Sequence, residues 1–153
     1  MEFIVAGYEI IEQEPGIEGV YKAAELPGRI CYGSQDRIAE GTAEKFVNGL
    51  MKSNHGAPLE HGTVYLSYSY PRKSWHTPPF IKFYEDNPYS KVHWANDMDD
   101  DDYTACITTN LRVLFENNRM DDLKYWVEPT RWHERRYQVK FTIDRFTGEK
   151  FLR

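Results

Sequence analysis

The chain has 153 residues, enough for one domain that buries about two thirds of its unfolded surface, and with 41% hydrophobic and 15% aromatic residues it is too apolar to be disordered over most of its length. Twenty-four Asp and Glu against 19 Lys and Arg give a net charge of −5, which argues against non-specific binding to duplex nucleic acid or an acidic membrane surface. Residues 1–11 carry Glu2 and Glu9 and no basic leader, and no apolar run is long enough to span a bilayer, so the expectation is a cytoplasmic protein with neither membrane nor nucleic-acid partner.

In chain order, Glu2 to Ile11 reads as a strand, ended by the turn signal Glu14-Pro15-Gly16. Ile17, Val20, Tyr21 and Ala24 then recur at helical spacing, and Pro27-Gly28 predicts the end of that helix. Thr42 is the expected cap of a second helix with the stripe Phe46, Val47, Leu50, Met51, and Asn54 is its expected stop. From Thr63 to Tyr70 apolar and polar residues alternate, as in a strand buried on one face. Four prolines and the acidic run Asp97–Asp102 predict an irregular surface excursion over 71–104. Thr108 or Thr109 would cap a helix through Leu111, Leu114 and Phe115 that ends near Asn117-Asn118, and Asp121 a further short one. Tyr137, Val139, Phe141 and Ile143 alternate with Gln138, Lys140, Thr142 and Asp144 in a second clear strand, before "RFTGEKFLR" turns toward a helix. There is no repeat or linker, so residues 1–153 form a single α+β domain of antiparallel strands packed by helices.

The residues with chemistry concentrate at "NHGAPLEH". His55 and His61 with Glu60 lack the four-residue spacing of a helical zinc motif, and Pro58 interrupts any such helix, so no metal site is expected. "DMDDDD" lacks the glycine and terminal glutamate of a calcium loop and reads as a solvated acidic loop. Cys31 and Cys106 stand in contexts that look buried and are read as free core thiols; no Ser or Cys has an activating base beside it. "WHERRY", Trp132 to Tyr137, could stack on a base or pair with a phosphate, or could be a solvated amphipathic stretch; spacing alone leaves both open. His76, His93 and His133 stand alone and read as surface or hydrogen-bonded structural histidines.

Several stretches, in order, resemble the flavin-dependent thymidylate synthases: "GRICYGS" (28–34), "HGAPLEH" (55–61) leading into a strand, "ITTNLRVLFEN" (107–117), "EPTRWHERR" (128–136) and "VKFTIDR" (139–145). The likeness covers most of the chain and is weakest over 71–104. The family's hallmark, Arg-His-Arg-x-x-Ser, would begin at Arg153, so the chain looks like the N-terminal portion of such an enzyme and is expected to be inactive alone.

The resemblance implies that His55 and Ala57 lie against FAD, with Cys31 near the flavin and Arg153 on flavin or substrate phosphate. Ala57 replaces the small hydroxyl residue usual there, which leaves a backbone contact. Glu60 and His61 would brace the turn into the strand. The implied chemistry is reductive methylation of dUMP to dTMP with methylenetetrahydrofolate and NADPH, without a covalent nucleophile, in a homotetramer. The alternatives are a non-catalytic nucleotide- or flavin-binding or assembly module, and an unrelated α+β domain.

Overall fold

The apolar alternation seen in the sequence builds two antiparallel sheets rather than one. The computed structural model describes residues 5–74, 76–95, 102–144 and 147–148. The larger sheet has the order β2-β4-β3, from β2 (Thr63–Pro71), β4 (Asp102–Asn110) and β3 (Lys91–Ala95). Thr63 pairs with Asn110 at one end of β2 and Pro71 with Asp102 at the other. The smaller is a two-stranded ribbon of β1 (Gly7–Ile11) and β5 (Gln138–Thr142), with Tyr8 opposite Phe141 and Ile10 opposite Val139.

Helices α1 (Gly16–Cys31), α2 (Thr42–Lys52), α3 (Pro79–Asp86) and α4 (Leu111–Glu116) pack on the larger sheet. Val64 and Leu66 of β2 and Ala105 and Ile107 of β4 bury against Val20 and Ala24 of α1, Val47 and Leu50 of α2, Ile81 and Tyr84 of α3, and Leu111 and Leu114 of α4. Burying these side chains is the main term holding the helices to the sheet. Among the described residues no helix is long and apolar enough to cross a membrane.

β2 was expected to expose one face, yet Thr63 and Tyr65 on that face are also buried. The cover comes from the segments that join the ribbon to the body. The Gln13 side-chain amide donates to the Thr63 carbonyl and accepts from the Thr63 N–H, both at 2.9 Å, as a neighbouring strand would. Further along, the Val127 N–H donates to the Tyr65 carbonyl at 3.0 Å, and His133 Nε2 lies 3.1 Å from the Leu66 carbonyl. The outer edge of β2 is thereby occupied from Thr63 to Leu66.

Several local expectations are corrected. Pro27-Gly28 does not end α1, which continues to Cys31 with Pro27 inside it; Gly28 lies against Phe46 of α2, and a Cβ there would sit 2.6 Å from the Phe46 ring. The N-cap of α2 is Gly41 in the left-handed region, with Thr42 as the first helical residue. Residues 71–104 are not wholly irregular: Pro79 starts α3, where its missing N–H is no loss, and β3 and the start of β4 follow. Thr108 and Thr109 lie inside β4, and the cap of α4 is Asn110, whose Oδ1 accepts from the Val113 N–H at 3.0 Å. Met120–Tyr125 is a 3-10 turn without side-chain capping by Asp121. Of the acidic run only Asp102 is among the described residues.

Candidate functional site

Two helix ends position the residues to which the sequence pointed. At the end of α1, Gly33 adopts φ +57°, its N–H reaches the Ile30 carbonyl (3.1 Å), and the Ser34 N–H reaches Arg29 (2.9 Å). At the end of α2, Asn54 adopts φ +55°, its N–H reaches Met51 (3.1 Å), and the His55 N–H reaches Leu50 (2.9 Å). Both are Schellman endings, in which a left-handed residue lets the chain turn back and satisfy the last carbonyls. "YGS" and "NHG" are the sequence forms of these turns. The first holds Cys31 and Tyr32 at the close of α1, and the second fixes the backbone of His55 directly after α2.

The two turns meet through side chains. The Tyr32 hydroxyl lies 2.7 Å from His55 Nδ1, and the rings meet edge-on with centroids 5.5 Å apart. When the phenol donates to Nδ1, the proton of a neutral imidazole is on Nε2, and that nitrogen is a hydrogen-bond donor. Tyr32 also meets Phe46 edge-on at 6.3 Å. Beside it opens a cleft of about 470 Å³ lined by Arg29, Tyr32, Lys45, Phe46 and Ser53, among others. Arg29 lies over the Phe46 ring at 4.2 Å and donates to Glu25 through Nε (3.1 Å) and Nη2 (2.9 Å). Glu25 is buried and also takes a 2.9 Å contact from the Thr42 hydroxyl. The cleft joins Tyr32 and Phe46 to the exposed Lys45, while the Arg29 charge is held by Glu25; His55 touches Tyr32 but does not line the cleft.

The other sequence-singled residues divide clearly. Cys31 is exposed, against the expectation of a core thiol, because it occupies the last turn of α1 on the solvent side. Cys106 is buried in β4, and burial pushes its thiol up, away from reactivity. Ala57 is exposed in a 3-10 turn, Ala57–His61, that follows His55 directly. Glu60 of that turn pairs with Arg112, which also pairs with Glu116 at 2.7 Å, so the turn is tied to α4. Partial burial lowers the His61 pKa against an opposing pull from Glu60, although much of its surface meets solvent. Arg153 lies outside the described residues.

Within "WHERRY" Arg135 is exposed, whereas Arg136 and His133 are tied into the body. The Arg136 guanidinium donates to the backbone carbonyls of Tyr89 (2.9 Å) and Thr109 (3.4 Å), and burial pushes its pKa down. His133 is buried: Nδ1 accepts from the Thr130 N–H at 3.1 Å, which leaves Nε2–H to donate to Leu66. Both residues join segment 126–136 to the larger sheet. Among the described residues no group of three metal-ligating side chains forms.

No family model, no curated protein and no solved structure matches the chain. Sequence reading missed Tyr32, Arg29, Lys45 and Phe46 as parts of the site. The available signal was Tyr32 itself, a large aromatic placed directly before a glycine helix stop and therefore on the rim rather than in the core.

Proposed function

We propose that this chain is a flavin- and nucleotide-binding domain of the flavin-dependent thymidylate synthase kind, with the fold of that family. The observation that carries the reading is the junction of the α1 and α2 ends, where Tyr32 and His55 are bonded beside the aromatic and cationic cleft. It falls on two of the stretches that resemble the family, 28–34 and 55–61. When bound, FAD reduced by NADPH supplies the hydride, and methylenetetrahydrofolate the carbon, that convert dUMP to dTMP. The residues present suit such a group. Tyr32 offers apolar surface to a planar ring system, Lys45 favours phosphate while Arg29 stays paired with Glu25, and His55, oriented by Tyr32, donates through Nε2. Cys31 and Ala57 flank the junction, where backbone can approach a ligand closely. The family reading also carries a homotetramer with cofactor sites shared between subunits.

The test is a fluorescence titration of FAD with the purified chain and with His55→Ala. The expected result is saturable quenching, weakened about tenfold in the variant, as befits one lost hydrogen bond to a charged or polar ligand. No quenching at about 100 μM protein, or identical curves for both proteins, overturns the reading. A non-catalytic assembly module is the second reading, and it is favoured by the exposure of Tyr8, Ile10 and Val139 on the β1-β5 ribbon.

A further inference from the structure

A second cavity shares no lining residue with the cleft beside Tyr32. It spans about 190 Å³ and is lined by residues 12–16, which carry the chain from β1 into α1, by residues within 126–137, and by Tyr65 of β2. That is the volume of about six waters at about 30 Å³ each, below the range of pockets for drug-sized ligands. The lining carries charges of both signs, yet among the described residues no ion pair crosses it. Glu14 pairs with Lys22 at 2.7 Å, and Glu128 accepts from the Gly16 N–H at 2.9 Å. Arg136 donates to the carbonyls of Tyr89 and Thr109. Three other groups on the lining lack comparable partners. Glu12 is exposed and has no hydrogen bond or ion pair among the described residues. Arg135, also exposed, has a 3.5 Å contact with the Pro129 carbonyl, at the outer limit of a hydrogen bond. Trp126 buries its indole Nε1–H without an acceptor. A buried donor is seldom left so unless a water or a ligand accepts from it.

We propose that this cavity binds a free α-amino acid with an apolar side chain about the size of leucine's. The three unengaged groups are an anion, a cation and a buried neutral donor, and together they complement one zwitterion. Its carboxylate accepts from the Arg135 guanidinium and the Trp126 indole N–H, its ammonium pairs with Glu12, and its side chain rests on Tyr65 and Pro129. A simple carboxylic acid would meet the Glu12 charge with nothing to offset it, and a simple amine would leave the indole N–H without an acceptor. Charge of both signs on the lining therefore selects for a ligand that carries both poles. The site rests on its own lining and does not require the flavin reading.

Titration of the ¹⁵N-labelled chain, followed at the Trp126 indole N–H resonance, tests the proposal with L-leucine and with its two halves, 4-methylpentanoate, which lacks the ammonium, and 3-methylbutylamine, which lacks the carboxylate. The expected result is a saturable shift of that resonance by leucine with a dissociation constant of about 1 mM or below, and binding of each half at least about tenfold weaker. Arg135→Gln is expected to weaken leucine and 4-methylpentanoate about tenfold, whereas Glu12→Gln weakens leucine about as much without weakening 4-methylpentanoate. Both replaced side chains are exposed, so an unchanged circular dichroism spectrum is expected, and the comparison of leucine with its halves needs the wild-type chain alone. No shift of the Trp126 indole up to about 10 mM leucine overturns the proposal, as does 4-methylpentanoate binding as tightly as leucine, or leucine curves unchanged in both variants. A chain that binds FAD and gives no leucine response fails this proposal alone, and one that binds leucine and not FAD fails the flavin reading alone.

Discussion

Replacing Glu25 by Ala removes a buried carboxylate that fastens α1 to the start of α2 and leaves the Arg29 guanidinium without that partner. Glu25 keeps 2% of its side-chain surface in solvent and Arg29 13%, so neither charge is screened well by water. Two guanidinium N–H groups and the Thr42 hydroxyl converge on Glu25 Oε1 at 2.9–3.1 Å. Breaking such a pair from one side costs about 3–5 kcal/mol. The lower end applies here, because Arg29 retains the Phe46 ring and some access to the open cleft, so about 3 kcal/mol is expected. For a domain of this size that is a fall in Tm of about 8–10 °C, readable in thermal and urea unfolding. The double replacement Glu25→Leu with Arg29→Met removes both charges and is expected to recover most of the loss. A loss below about 1 kcal/mol in Glu25→Ala, or no recovery in the double variant, would falsify the claim that this pair locks the two helices.

Three further outcomes follow from the same geometry. Burial, with Arg135 and His93 adding to it, holds the His133 pKa below its ordinary 6.5, so the unfolded chain takes up this proton first. Stability attributable to His133 is full above pH 6.5 and declines as pH falls toward its folded pKa; urea unfolding from pH 7 to 5 should show a shallower decline in His133→Gln, and equal slopes would remove His133 as the cause. Tyr84→Phe strips a buried phenol that donates to Asp122 at 2.8 Å, and about 1 kcal/mol of stability is expected to go, because Asp122 keeps Arg119 at 3.2 Å; a neutral change in chemical denaturation would contradict the bond's role. The 153 residues do not contain Arg-His-Arg-x-x-Ser, and dTMP formation by the purified chain with FAD, NADPH, methylenetetrahydrofolate and dUMP is expected to be at background; robust turnover would refute the assignment of substrate binding to that motif.

Much of the architecture was legible where one signal dominated. The helical stripe Phe46, Val47, Leu50, Met51 and the stop at Asn54 correspond to α2 and its left-handed ending, and the alternation at 63–70 to β2. Reading failed where tertiary context outweighs local pattern. β4 is the central strand of its sheet and buried from Ala105 to Asn110, so it reads as "ACITTN" with no alternation, and its threonines mimic helix caps. Prolines at 78 and 79 suggested a loop but mark a helix start. The alternation at 137–143 correctly gave a strand, yet period alone could not reveal that its apolar face points away from the body. The sequence singled out His55, whereas its hydrogen-bond partner Tyr32 depends on the approach of two helix ends 23 residues apart in sequence.

The central claim, that the junction of the α1 and α2 ends binds a flavin, is tested most directly by mapping amide chemical shifts in the ¹⁵N-labelled chain as FAD is added. The account predicts that perturbations cluster at residues 29–34, 42–46 and 53–57, and that Tyr32→Phe diminishes them. Shifts confined to the β1-β5 ribbon or to the cavity beside Lys22, or no shifts at saturating FAD, would contradict it.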